Sequence, residues 1–508
     1  MRLVFVFLRF FRSQLETFHL PDSIALPFAG NLTIDAVSVV IVELRKKVKL
    51  VWFHQSELHF DMNDGFTKAV FFLPRISELR EVLPVMKSSH TAVKFSMLAL
   101  AFLISLNSGF VIAGQEKEGA KSKARLPGAR PVIHAINYES IQQALDALPA
   151  EGGVVMLPPG HFEIDQPLVI NKGDVLLMGA GSATHIHNKN EEGKDAIAIH
   201  PPEDAKLPDG KPDPKPRIWR VQLQNFRVTG NEKSGRGINA KWVQEIYIHG
   251  VTCSYHGSDG IFLDFCFEDP RVSDCLITYN KATGLNLIGC HDIVVSANHF
   301  EENLDALRCA DGYNLCMSGN NLDDHLRDGV IIENTYGSIV CANMIEECKG
   351  RAITLDKECY GITLSANVIA HNGSGIILDD AHGCAVSANT FTLLAADALK
   401  IGPKSGRITV TGNNFSNSYI GNGQVKRRTN DLKAAGLTLD KTRGVTVSGN
   451  LFSSVRPKAV EVIEPTSHVL FGNNLLIDVE SDHEKLTDSI IKNTLVAPAE
   501  PVSKPAEK

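Results

Sequence analysis

Hydrophobic and polar positions alternate with period two over short stretches through most of the second half of the chain. Ile293 and Val295 point one way while Val294 and Ser296 point the other, and Leu307 and Cys309 oppose Arg308 and Ala310. Period two is the signature of a strand. The alternation is also repeated. A phrase of the form hydrophobic-Ser-Ala/Gly-Asn recurs with its Asn at 298, 320, 343, 367, 389, 413, 450 and 473, in steps of 22, 23, 24, 22, 24, 37 and 23. The long step is one period plus an insertion of about 14 residues, the polar loop around Ser418–Leu432. A second set of apolar anchors runs in step: Ile238, Ile261, Leu285, Leu307, Val330, Ile353, Ile376, Leu399, Leu437 and Val460.

A unit of about 23 residues made of short strands cannot bury its inward face alone. Stacking units in parallel does so, one coil per ~4.8 Å. The Leu-x-x-Leu-x-Leu spacing of leucine-rich repeats is absent. The expected fold is therefore all-β, a parallel solenoid of about 12 coils. The recurrent Asn suits a turn with left-handed backbone geometry, and stacked Asn amides are expected to bond from coil to coil. Tyr138–Leu148 places Ile141, Ala144, Leu145 and Leu148 on one helical face, with Asn137 as N-cap, which predicts a capping helix over the first coil. Residues 200–216 read as a Pro-rich charged loop, and the tail Ala497–Lys508 as disordered.

The chain is not uniform. Residues 1–85 hold 11 of the 24 Phe, 2 of the 40 Gly and none of the 10 Cys. Lys87, Lys94, the apolar run Phe95–Leu106 and Val111-Ile112-Ala113 then follow the layout of a secretory signal peptide. The expected organisation is a mis-called extension over 1–85, a signal peptide over 86–113 with Met86 as the true start, a linker over 114–133, the solenoid over 134–480, and a C-terminal cap and tail over 481–508. The expected location is secreted or periplasmic; residues 95–113, if retained, would serve instead as a membrane anchor. All ten Cys lie between Cys253 and Cys384 without zinc spacing. Cys266 and Cys290 share a column one coil apart, so a cross-coil disulfide is expected there, with two stacked thiols as the alternative. A net charge of −7 argues against a nucleic-acid partner.

The series IQQALDAL, GGVVMLPPGHFEI and VLLMGAG, followed by the Asn-bearing coils, resembles the pectin lyase-like right-handed parallel β-helix superfamily over about residues 134–480. The resemblance implies a right-handed coil and a polysaccharide partner. It does not set the chemistry, because the superfamily includes lyases, hydrolases, epimerases, tailspikes and non-catalytic surface proteins.

Candidate chemistry comes from aligning the coils on the anchors. Two residues before each anchor stand Arg236, Asp259, Thr283, Asp305, Asp328, Arg351, Ser374 and Asp397. One residue after stand Asn239, Phe262, Asn286, Arg308, Ile331, Thr354, Ile377 and Lys400, and three after stand Asp264, Ile288, Ala310, Glu333, Asp356 and Asp379. Asp305 and Asp328 on adjacent coils resist joint ionisation, so either one keeps its proton as a donor or a cation sits between them. Asp259 lies two coils from Asp305, ~10 Å away, near the spacing of inverting glycosidases. Arg308 and Arg351 suit a uronate carboxylate, and His325 suits an acid or base. Against this stands the plain reading of Asp259-Gly260 and Asp328-Gly329 as turn chemistry, of the arginines as a solvated ladder, and of Phe262 and Ile331 as packing rather than sugar platforms. Polygalacturonases carry Asn-Thr-Asp, Asp-Asp and Gly-His-Gly on successive coils. Here Ser258-Asp259-Gly260 is followed by Ala282-Thr283 and no Gly-His-Gly, and the Asp-Pro-His of alginate epimerases is absent. Pectate-type lyases pair an Arg or Lys base with Ca²⁺, which would fall to Asp305, Asp328 and Glu333; outside that case no cofactor is expected. The expected function is a lyase or glycoside hydrolase on a uronate-containing polysaccharide. The alternative is a non-catalytic β-helix for glycan binding or surface scaffolding, and the insertion with Lys426, Arg427 and Arg428 would add a basic clamp if it reached the groove.

Overall fold

The structure is a computed structural model that describes residues 126–498, apart from 208–210, 212 and 417–435, together with four short strands nearer the N-terminus. The chain divides into two units, Met1–Lys121 and Ser122–Lys508. In the first, Ala25–Phe28 pairs antiparallel with Thr67–Val70, and Val39–Leu44 with Lys47–Trp52. The signal segment at 86–113, the loop Ser418–Leu432 with Lys426, Arg427 and Arg428, and the tail beyond residue 498 lie outside the described residues.

In the second unit three stacks of short parallel strands enclose one apolar core. One sheet has 14 strands and another 13, which makes about 14 turns rather than the expected 12. The anchors pair in sequence order in the 13-stranded sheet, Ile238 with Ile261, Leu285 with Leu307, Val330 with Ile353, Ile376 with Leu399, and Leu437 with Val460. Inside, like residues sit on like: Phe391, Phe415 and Phe452 stack with ring centroids 4.7 and 4.6 Å apart. The capping helix is real but shorter, Ile141–Asp146, and its N-cap is Ser140 rather than Asn137. Gln142 joins it to the edge of the 13-stranded sheet by giving to and taking from the backbone of Val169.

The Asn ladder runs as expected along the axis, with one change of register. The buried residues are Asn298, Asn320, Asn343, Asn367, Asn389, Asn413, Asn450 and Asn474. From Asn320 onward each Oδ1 accepts the backbone N–H and the Nδ2 of the previous Asn, as in Asn320 to Asn343 at 3.0 and 2.9 Å, while Asn298 Oδ1 accepts the Cys275 N–H. Left-handed geometry belongs instead to the residue before each Asn: Ala297, Gly319, Ala342, Ala366, Ala388, Gly412, Gly449 and, in the last coil, Asn473. Asn473 therefore makes the turn and Asn474 takes the ladder place.

The column immediately before the anchors is Gly237, Gly260, Gly284, Ala306, Gly329, Ala352, Gly375, Ala398, Gly436 and Ala459. A Cβ at Gly329 would stand 2.5 Å from the Ala352 carbonyl. Asp328-Gly329 is thus not a turn; the Gly lets the next coil approach.

Two substitutions separate these roles. Asn343→Leu strips partners from buried amides above and below and is expected to lower unfolding free energy by roughly 3 kcal/mol. Ala366→Gly relieves a left-handed Ala and is expected to raise it by up to ~1 kcal/mol. Chemical denaturation of each variant checks both signs.

Candidate functional site

The predicted stripe exists, and it follows the 13-stranded sheet. Its innermost column is structural. Asp305 is completely buried, accepts the Asp328 N–H at 3.1 Å, and holds the Arg327 guanidinium through both oxygens, with Nε at 2.7 Å. Asp328, 3 % exposed, accepts the Arg351 N–H at 2.7 Å and pairs with the Arg351 side chain at 3.0 Å. Asp259 accepts the Thr283 N–H at 3.1 Å, with Asn286 and Arg236 on its other oxygen. Asp195, missed by the sequence reading because its coil precedes the first anchor recognised, accepts the Arg236 N–H at 2.7 Å. These carboxylates form a ladder of their own, each bonding the backbone of the following coil.

That geometry corrects the expected pair. Asp305 and Asp328 do not face each other as a pair: Arg327 holds the first and Arg351 the second. Glu333 is likewise taken, by Arg308 and Lys357. Burial works against its charge, but the Lys357 and Arg308 hydrogen bonds outweigh it and hold the carboxyl below its ordinary value. The three proposed Ca²⁺ ligands are not gathered as donors. Among the described residues, the group that meets a three-ligand geometry is Glu346, Glu347 and His371, on the 14-stranded sheet and just after it.

His325 is also misplaced as an acid or base. It is fully buried, its Nδ1 meets the Asn303 carbonyl at 3.3 Å, and its Nε2 has no partner among the described residues. Burial pushes it down to about 4. It occupies a column shared with His256, Asn280, Asn303, Cys348 and Asn372, a second amide ladder in which Asn280 N–H bonds Asn303 Oδ1 at 3.0 Å and Cys348 N–H bonds Asn372 Oδ1 at 2.9 Å. The cysteines follow the same logic. All ten are free. Cys266 and Cys290 stack as thiols, with Cys290 Sγ donating to the Leu263 carbonyl at 3.4 Å, so the expected disulfide is not formed.

The next two columns and the turn beyond them reach solvent in part, with Thr354, Ile377 and Ala310 buried among them. Arg351 reaches from Asp328 to Asp379 at 3.7 Å. Lys400 meets Asp440 at 3.7 Å and Lys241 meets Asp264 at 3.6 Å. The ring of Phe262 is covered by the Arg236 guanidinium, 4.1 Å from its centroid, and so is no sugar platform. Asp379 is raised by burial and then by the Asp356 charge on the neighbouring coil. At the edge of the sheet, six or seven residues after the anchors, Phe267, His291, Tyr313, Tyr336, Tyr360 and His382 form a continuous column with centroids 4.4, 4.5, 5.3, 5.6 and 5.3 Å apart. The sequence carries the signal as an aromatic or His six or seven residues after the six anchors from Ile261 to Ile376. A shallow hollow lined by Cys275, Leu276, Asn298, His299, Gly319 and Asn321 lies away from this face, on the Asn-ladder corner.

The family model for the right handed beta helix region matches residues 236–391 and 357–476. The second unit is a right-handed parallel β-helix, the fold that the quoted segments implied. No curated protein sequence matches it. Solved structures of similar fold include a mannuronan C-5 epimerase A-module of Azotobacter vinelandii, 14 % identical, covering 73 % of this chain and 100 % of that one with a TM-score of 0.43. The tailspike protein 3 of bacteriophage CBA120 is 11 % identical over 74 % of this chain and 67 % of its own, with a TM-score of 0.47. The catalytic unit of a GH87 alpha-1,3-glucanase from Streptomyces thermodiastaticus is 15 % identical over 75 % and 69 %, with a TM-score of 0.39.

Two measurements test the structural reading of the inner column. Asp305→Ala leaves the Asp328 N–H and Arg327 unpaired and is expected to cost about 2–4 kcal/mol; a dispensable catalytic carboxylate would instead leave stability level or raised on removal. His325 is held neutral, so its contribution to stability is complete above its ordinary value of 6.5 and is lost as pH falls towards about 4. At about 1.4 kcal/mol per pH step the loss reaches ~3 kcal/mol. His325→Asn, which suits the amide ladder, is expected to flatten that part of the stability–pH curve.

Proposed function

We propose that this protein is an exported glycan-binding β-helix that holds a saccharide chain lengthwise along the charged sheet and its aromatic edge. The observation that carries the reading is the alignment at the coil repeat of the charged groups Arg308, Glu333, Asp356 and Asp379 with the aromatic column from Phe267 to His382. A coil rise of ~4.8 Å is comparable with the length of one sugar residue, so a polymer laid along the axis meets equivalent groups at each step. The stacked tyrosines spend their ring faces on one another and offer edges and hydroxyls outward, with Tyr313 43 % and Tyr360 37 % exposed. Hydroxyl-rich neutral sugars suit this face at least as well as uronates, because Arg308, Arg351, Lys241 and Lys400 already have carboxylate partners. Relatives of the same fold that act on polysaccharides agree with a glycan partner. Export rests on the signal-like segment that begins at Met86.

A catalytic reading keeps one support. Asp356 and Asp379 lie on adjacent coils of the exposed column, and the raised Asp379 carboxyl is suited to donate a proton. Lyase or hydrolase activity would centre there rather than on Asp305 and Asp328.

The test is affinity electrophoresis of the full chain through neutral and uronate polysaccharides, with the same mixtures scored for unsaturated products and reducing ends. Binding without products is expected, weakened roughly tenfold in the Tyr313→Ala/Tyr336→Ala/Tyr360→Ala variant. Undiminished binding in that variant would remove the face from consideration. Product formation abolished by Asp379→Asn would replace binding by catalysis.

A further inference from the structure

A second cluster lies apart from this face, on the first strands of the 14-stranded sheet. The strand Gly160–Ile164 pairs with Thr184–Asn188 in a register that sets His161 opposite His185 and Glu163 opposite His187. Period two turns all four side chains outward, while Ile186 between the two histidines is fully buried in the core. His161 Nδ1 and His185 Nδ1 stand 2.9 Å apart. The three ring centroids are separated by 4.6, 5.7 and 6.0 Å. The sequence offers only His185-x-His187; the third histidine, 24 residues earlier, joins them through the coil register.

We propose that His161, His185 and His187 form a binding site for a divalent transition metal of the zinc class. Imidazole nitrogens bind zinc at about 2.0–2.1 Å, and tetrahedral placement of three such rings puts their centroids about 5 Å apart; His161 and His185 stand near that separation, and the His187 ring comes into reach by turning inward. Imidazole is the ligand type that selects zinc, copper and nickel over calcium or magnesium.

The surroundings are arranged as an outer shell. A metal-bound histidine passes its other ring N–H to a neighbouring acceptor, which sets the tautomer and the ring plane. Thr229, on the next strand, stands 2.7 Å from His185 Nε2 and 3.0 Å from His187 Nδ1. Thr229 Oγ1 has two lone pairs and accepts both the His185 Nε2 proton and the His187 Nδ1 proton. That frees His185 Nδ1 towards His161 and requires the His187 ring to turn its Nε2 inward. Glu163 stands beside the cluster, its Oε1 4.0 Å from His161 Nε2 and its Oε2 anchored by Lys189 at 3.2 Å. Three protein ligands leave one position open, as in catalytic rather than structural zinc sites.

The test uses the untagged full chain, stripped with chelator and titrated with Zn²⁺ by calorimetry, with Co²⁺ absorption as a second readout. The Glu346–Glu347–His371 group is the competing site, so His371→Ala is the control. One equivalent is expected, with affinity falling at least ~100-fold in His161→Ala and in His185→Ala and unchanged in His371→Ala. Both histidines face outward, and circular dichroism of the variants checks that the coil is intact. Added Zn²⁺ is also expected to raise the melting temperature of the parent but not of either variant. Absence of binding, equal binding in the His161 and His185 variants, or loss confined to His371→Ala overturns the proposal.

Discussion

The structure depends on one distance, the spacing of parallel strands from coil to coil. Every backbone group at the corners of the coil is buried between its neighbours and must find a partner one coil away. The chain meets that demand with side chains that imitate backbone. Asn amides do so at one corner, from Asn298 to Asn474. A mixed column from His256 to Asn372 does so at a second. Carboxylates from Asp195 to Asp328 do so before the anchored strands. The Gly and Ala column beside those carboxylates is the steric counterpart, since a larger side chain would hold the coils apart.

This constraint explains why the inner charged column is built into the wall of the coil. A carboxylate that accepts a backbone N–H from the next coil is drawn into the wall, and its remaining charge must be met by an arginine or by water. Arg327 and Arg351 meet it for Asp305 and Asp328. Side chains turn outward only beyond the anchor, three and five residues past this column. The proposed binding surface therefore begins at Arg308, Glu333, Asp356 and Asp379 and ends at the aromatic turn.

The metal cluster obeys the same geometry on another sheet. Like residues at the same offset in successive coils are brought within contact, whether they are phenylalanines in the core, tyrosines at the turn or histidines on the face. A solenoid converts a recurrence in sequence into a row in space, and a single departure from the recurrence into a local site. His161, His185 and His187 are such a departure, since the coils that follow carry Arg227, Thr229, Thr252 and Ser254 in those places.

The sequence by itself determined the repeat, the parallel stacking, the anchors and the facing of nearly every strand residue, because burial in a stacked coil imposes period two and a fixed step. It also determined which residues share a column: Asp305 with Asp328, and Cys266 with Cys290. It did not determine what neighbours in a column do to each other. Whether Asp305 meets Asp328 or Arg327 turns on which guanidinium reaches it and on a backbone N–H one coil on. Whether Cys266 bonds Cys290 turns on where each thiol points. Whether Asn473 or Asn474 joins the ladder turns on which of them adopts the left-handed turn. Spacing along the chain is a one-dimensional quantity and was enough for the coil. Pairing, tautomer and exposure depend on side-chain direction at distances of a few ångströms, and only the tertiary structure decided them.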